Sequence, residues 1–415
     1  MNFSQKILSH YLLLGIVLGI CVPLEKIQPS EVLFTITKDN LETGLRGYPV
    51  GYCTTSHVHP VDGLSYVQLP IRQCISQSAE AVIFLLHQGR QGSVIEVENF
   101  AADLKKRSTC SSELIDQILT VPAKGSPMKM LSIAILLSGM LEGKQDYRED
   151  CLDLIAKIPQ IAATVINHHA GWNSLRPPSP DLGYIENFTH MLNVPGGDPD
   201  SLNQVFTLFN ILHYDHGGGN LSTFVAKAVA SGLEDMHGSI ASAINALAGP
   251  KHGGANLDCL KFLEEILAEI GPEGSASQVE AMICRRLANN ELIFGFGHAV
   301  LRVEDQRAAI LYEKAQEKFP GHPLVKIALL LRGVVPDILK KNPKIADPYA
   351  NVDAISGALL SAGGFPFPEY YPVLFAMART VGIANQIVYE RCEARKGKGT
   401  PIVRPKYIYK SRESD

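Results

Sequence analysis

Apolar residues recur at helical spacing along most of this chain, and that recurrence constrains the fold more than any other feature. Residues three and four apart share one face of a helix, so the pattern marks helices that bury one side. Residues 148–169, REDCLDLIAKIPQIAATVINHH, carry it over several turns. Pro159 stands inside this run and is expected to interrupt the helix, because proline has no N–H and its ring clashes with the preceding turn. The same period runs through 202–213, 260–270, 278–287, 324–339 and 370–392. Strand-like alternation is confined to 32–37 and 64–69. The expectation is an all-α protein with a small N-terminal β element. Connectors are marked by RPPSPDLG at 176–183 and GPEGSAS at 271–277. No internal repeat or low-complexity tract is present.

With 415 residues and 46% hydrophobic content, the chain can bury one large core or build two domains. Its net charge of -4 offers no basic footprint, so no nucleic acid is expected, and anionic ligands would have to meet local clusters of Arg. Cys21, Cys53, Cys74, Cys110, Cys151, Cys259, Cys284 and Cys392 are dispersed, with no CxxC pair. They read as reduced thiols rather than a disulfide or zinc framework. The expected location is the cytoplasm, or the mitochondrial matrix in a eukaryote. The run YLLLGIVLGICVPL at 11–24 is shorter than the about 20 residues a membrane span needs. It is similar to the apolar part of a signal peptide but lacks a clear small-x-small cleavage site. A buried helix or an extension upstream of the true start fits the rest of the chain better, and no membrane association is expected.

Three segments carry residue types suited to chemistry. AGPKHGGAN at 248–256 places His252 in a glycine-rich loop before a helical pattern. The positive end of a helix dipole keeps an imidazole neutral, and a neutral imidazole donates a hydrogen bond to a developing enolate oxygen. An ordinary turn His is the plain alternative. GFGHAVLR at 295–302, continuing to Asp305 and Arg307, combines glycines that allow close backbone approach with Arg302 and Arg307, which grip carboxylate or phosphate. The plain alternative is a surface loop before a solvated helix. NVDAISG at 351–357 opens an apolar helix, where Asp353 is either an N-cap or a base facing a substrate C–H.

Each segment is modest alone. In this order, with DHGGGN at 215–220, DCLDLIAKIP at 150–159, NFTHML at 187–192, the run 370–379 and RPK at 404–406, they resemble the citrate synthase family, mitochondrial-like and dimeric. The resemblance extends from about residue 32 to 406. It implies a two-domain helical fold: an unassigned apolar segment at 1–30, the first part of a large domain at 31–253, a smaller mobile domain at 254–364, and a return to the large domain with a C-terminal tail at 365–415. It implies condensation of acetyl-CoA with oxaloacetate and hydrolysis of the thioester to citrate. Acetyl-CoA is then a substrate, and no cofactor or metal is needed.

The resemblance also implies roles. Asp353 matches the base that removes the acetyl methyl proton, and His252 the donor to the thioester oxygen. His298 matches the group that polarises the oxaloacetate carbonyl. His216, His298, Arg307, Arg379 and, from a second subunit, Arg404 match the oxaloacetate-binding set. Arg302 matches a contact to CoA phosphate. The backbone at 292–297, with Gly295 and Gly297, matches the adenine loop, and Asn351 is expected with them on the CoA-binding side. Departures fall mostly on the CoA side. Gly217 replaces the usual Glu, Gln306 the usual Pro, and the usual FRGY strand reads YVQL at 66–69. The basic residue expected just before NVD is displaced, with Lys344 nearest, and residues 168–180 replace another region linked to CoA phosphates. Three rivals remain at this level: 2-methylcitrate synthase using propionyl-CoA, a citryl-CoA lyase half-reaction, and a non-catalytic helical scaffold.

Overall fold

The computed structural model describes residues 32–172, 175–343 and 345–411. The N-terminal segment at 1–30 and Lys344 lie outside them. The chain divides into two compact units after Gly51. In the first, residues 32–37 are irregular and exposed, not the expected strand. Their alternation finds no neighbouring strand, and an isolated strand leaves its N–H and C=O groups unpaired. A single 3-10 turn follows at Lys38–Glu42, and the Tyr48 hydroxyl donates to the Asn40 carbonyl at 3.1 Å.

The main unit begins with a three-stranded antiparallel sheet, β1 (Ser56–His59), β2 (Gly63–Tyr66) and β3 (Leu69–Pro70), in the order β1-β2-β3. Ser56 lies opposite Tyr66. The expected strand at 64–69 is thus two strands, parted at Val67, whose φ is +56°. Helices follow: α1 (Ile71–Cys74), α2 (Ala79–Gln88), α3 (Val94–Arg107), α4 (Ser112–Thr120) and α5 (Pro127–Glu142). Next come α6 (Tyr147–Ala170), α7 (Tyr184–Leu192), α8 (Pro199–His213), α9 (Leu221–Ala230) and α10 (Met236–Leu247). Six longer helices follow, α11 (Ala255–Ile270), α12 (Ala276–Ala288), α13 (Gln306–Lys318), α14 (Pro323–Leu339), α15 (Asp353–Ala362) and α16 (Tyr371–Val388), before short helical turns at Tyr389–Glu393 and Ala394–Gly397. The described residues are therefore all-α apart from the small sheet, and no described helix is long and apolar enough to cross a membrane.

Pro159 does not break α6. Its missing N–H leaves the Ile155 carbonyl without a helical donor, and the Tyr184 hydroxyl from α7 donates to it at 2.8 Å. Tyr184→Phe removes that donor and leaves a buried carbonyl unpaired, so a loss of about 1–3 kcal/mol in unfolding free energy is expected from denaturant titration. The two helices at the centre, α6 and α16, are buried along nearly their whole length and pack on each other. Their apolar residues surround the axis because no face meets water. Gly382 on α16 is required by contact: a Cβ there would stand 2.4 Å from the Tyr214 carbonyl oxygen, to which the Gly382 N–H donates at 3.0 Å. This close approach brings α16 against the loop that follows α8. Helices α11 to α15 pack chiefly on one another, with α15 touching α8 and α11 touching α16.

Candidate active site

The site forms where loops between helices meet. After α8 the chain turns through His216 into α9. After α10 it turns through His252 into α11. Between α12 and α13 runs the loop that carries His298. This last loop pairs with the segment leading into α15. Gly297 N–H donates to the Tyr349 carbonyl at 2.9 Å, Asn351 N–H to the Gly295 carbonyl at 2.9 Å, and Asn351 Nδ2 to the Gly297 carbonyl at 3.0 Å. Phe296 and Ala350 form an antiparallel bridge. Gly295 must be glycine: its φ is +81°, and a Cβ would come within 2.8 Å of the Ala354 Cα. The pairing draws His298 toward Asp353, the first residue of α15, whose N–H donates to Asn351 Oδ1 at 3.0 Å.

The three imidazoles are neutral at pH 7. Burial first, and the charge of Arg379 second, lower His252 to about 4. Burial, then Arg307, lowers His298 to about 4. His216 lies well below the usual imidazole range through burial, with Arg307 and Arg379 adding to it. Their partners assign the tautomers. Val300 and Leu301 N–H both donate to His298 Nδ1 at 3.0 Å, so the ring proton sits on Nε2. The Ser222 backbone N–H donates to His252 Nε2 at 3.3 Å, with Ser222 Oγ 2.9 Å from the same nitrogen, which leaves the proton on Nδ1. Each ring therefore offers one N–H donor. His216 Nε2 is buried without a partner among the described residues, and its ring lies 5.4 Å from that of His298.

Burial raises the Asp353 carboxyl to about 6, against the opposing pull of Arg307 and Arg379. Both guanidinium groups are buried. Arg307 pairs with Asp305, Nη2 to Oδ2 at 2.7 Å. Arg379, on α16, donates from Nε to the His213 carbonyl at 3.0 Å and stands over the Phe375 ring at 4.7 Å. Burial lowers it to about 10, so it stays charged at neutral pH. Two buried guanidinium groups, one of them paired with Asp305, three neutral imidazoles and the raised carboxyl of Asp353 suit an anionic substrate beside a proton-transfer step.

His216, His252, His298, Arg307, Arg379 and Asp353 are thus brought together, with Gly295, Gly297 and Asn351 in the backbone that joins them. Arg302 is exposed, its guanidinium turned onto the Val300 and Leu301 carbonyls at 3.1 and 2.6 Å. Arg404 lies outside the cluster, exposed in the tail after α16, and forms no hydrogen bond or ion pair with the described residues; the neighbouring Val403 N–H donates to Ser231 Oγ at 2.9 Å. Sequence reasoning missed Ser222 and Phe375, whose ring lies 6.2 Å from His252. The one local signal for Ser222 is the N-cap Asn220 that begins α9.

Residues 44–406 match the family model described as "Citrate synthase, C-terminal domain". "Citrate synthase 4, mitochondrial" of Arabidopsis thaliana is 32% identical over 400 residues, covering 91% of this chain and 83% of that protein. "Citrate synthase, peroxisomal" of Saccharomyces cerevisiae is 32% identical over 405 residues, covering 92% and 85%. The crystal structure of citrate synthase from Thermotoga maritima superposes with a TM-score of 0.77 at 27% identity, covering 90% of this chain and 97% of that one. Fold and relatives together define an acyltransferase, of the class that converts the acyl group to alkyl on transfer. The chain belongs to the citrate synthase family.

Proposed function

We propose that this enzyme condenses acetyl-CoA with oxaloacetate and hydrolyses the citryl thioester to citrate and CoA. One observation carries the reading: two neutral imidazoles of opposite tautomer meet a carboxyl raised to about 6 beside two buried guanidinium groups. Arg307, Arg379 and His216 hold the two carboxylates of oxaloacetate. Asp353 takes a proton from the acetyl methyl, and the C–H electron pair moves into an enolate. His252 Nδ1–H stabilises the enolate oxygen. The methylene carbon attacks the ketone carbon of oxaloacetate, whose oxygen receives a hydrogen bond and then the proton from His298 Nε2. Water then adds to the thioester carbonyl: its proton returns to His298 Nε2, its hydroxyl forms the new C–O bond, and as the C–S bond breaks the CoA thiolate takes the proton held on Asp353, leaving citrate and free CoA thiol. The acetyl methyl is a very weak acid, so the base and the enolate donor must act together.

Residues 254–364, which hold α11 to α15, would close on the rest of the chain and exclude water before the proton is taken. A second copy of the chain would complete the site with Arg404. Helix α5 turns Ile133, Leu136 and Met140 outward on one stripe, and Met140 is 82% exposed. Such a stripe suits a twofold partner face. The seven described cysteines are free thiols, in keeping with the cytoplasm or a mitochondrial matrix.

The pH dependence follows from the carboxyl. Asp353 works as a base only when ionised, and its folded value is raised to about 6. Activity is therefore lost as pH falls through about 6, whereas His252 and His298, lowered to about 4, stay neutral across that limb. A pH profile of kcat/KM with its acid limb near 4 instead would remove Asp353 as the base. The reaction itself is tested by release of free CoA thiol from acetyl-CoA with and without oxaloacetate; release that does not depend on oxaloacetate would reject the condensation. Running propionyl-CoA beside acetyl-CoA decides between this reaction and the 2-methylcitrate reaction, because a single methyl group is worth only about 1–3 kcal/mol of discrimination and both thioesters must be compared directly.

A further inference from the structure

Asp215 is a carboxylate with no solvent exposure and no ion-pair partner among the described residues. The buried Arg379 guanidinium feels this charge but is not in contact with it, so burying the carboxylate stays costly unless donors surround it. Four do. The Thr55 hydroxyl donates to Oδ2, and Ser56 Oγ donates to the same oxygen at 2.8 Å. The His216 backbone N–H donates to Oδ1 at 2.9 Å, and Gln386 Nε2 lies 2.9 and 3.2 Å from the two oxygens. Ser56 Oγ also accepts the Gly217 N–H at 2.7 Å. Across the sheet, the Tyr66 hydroxyl donates to the Ile211 carbonyl at 2.7 Å and accepts the Asp215 N–H at 3.3 Å. Ser56 and Tyr66 are cross-strand neighbours, so one end of the β1–β2 pair grips the backbone on both sides of Asp215.

The loop needs such a grip. Gly217, Gly218 and Gly219 follow His216, and a Cβ at Gly217 or Gly219 would touch nothing within 4 Å. Only Gly218 has side chains close by, Gln386 and Lys227 among them, and glycines flanked by open space have many backbone states available. We propose that Asp215 is a positioning residue which, with Ser56 and Tyr66 of the small sheet, Thr55 just before it and Gln386 of α16, fixes the His216 ring against oxaloacetate. The sheet in an otherwise helical enzyme then serves the active site. The inference rests on the proposed role of His216.

The test uses the full-length chain and steady-state kinetics in both substrates, with His216→Ala as the control. Asp215→Ala should raise the KM for oxaloacetate about tenfold or more, the size expected for loss of hydrogen bonds to a charged group, with the acetyl-CoA KM little changed. Asp215→Asn should recover most of the loss. Its amide oxygen still accepts from His216 N–H, and the Thr55 and Ser56 hydroxyls can turn to accept from its NH2. Ser56→Ala should give a smaller rise in the same direction. An unchanged oxaloacetate KM in Asp215→Ala, equal rises for both substrates, or Asp215→Asn as impaired as Asp215→Ala would each overturn the inference. If Asp215→Ala does not fold, Ser56→Ala decides, and an unchanged oxaloacetate KM there overturns it. An unchanged oxaloacetate KM in His216→Ala would instead reject the role assigned to His216.

Discussion

Asp353→Asn should lower turnover by about 100- to 10,000-fold, the usual worth of a positioned general base. The amide has nearly the same shape and keeps the start of α15 intact, but it accepts no proton at any working pH. Oxaloacetate binding should survive. Asp353 stands among the charges of Arg307 and Arg379, which act on it directly. Removing its negative charge relieves repulsion toward a dianion, so affinity should hold or tighten. Calorimetry of oxaloacetate binding beside turnover separates the two effects. Turnover at the wild-type level would remove Asp353 from the reaction, and lost oxaloacetate binding would show that it supports the site rather than the proton transfer.

The second large effect is expected from mixing two inactive enzymes. Arg404 lies in an exposed tail, away from the cluster formed by its own chain. If it completes the site of a second subunit, an Arg404→Ala dimer lacks it in both sites, and a His252→Ala dimer lacks the enolate donor in both. After subunit exchange each mixed dimer has one site with both residues and one with neither. Random twofold pairing makes half the dimers mixed, so activity should recover to about one quarter of wild type. Verified exchange with no recovery would reject the trans role, because an Arg404 serving its own subunit leaves every site one residue short.

The fold class was legible because it depends on local chemistry. Helical periodicity marked α6, α8, α11, α12, α14 and α16, since the spacing of apolar residues along the chain is a local property. Two local readings failed for non-local reasons. The alternation at 32–37 lacked a partner strand, and Pro159 was accommodated because Tyr184, distant in sequence, supplied the missing donor. The motif glycines were legible as well: Gly295 and Gly297 take the positive φ that their place beside NVD demands.

What the chain determined by itself was therefore its helical class and the residue types on its motif loops, because spacing, glycine freedom and motif order are properties of neighbours in sequence. Only the tertiary structure decided the chemistry of those residues. Which imidazole nitrogen holds the proton depends on Ser222 for His252 and on Val300 and Leu301 for His298. Burial, which no local pattern measures, raised Asp353 to about 6 and lowered His252 and His298 to about 4. The grip on Asp215 joins the neighbours Thr55 and Ser56 to Gln386, far from both in the chain. Desolvation and hydrogen-bond partnership arise where segments meet in space, so they became readable only once the chain was folded.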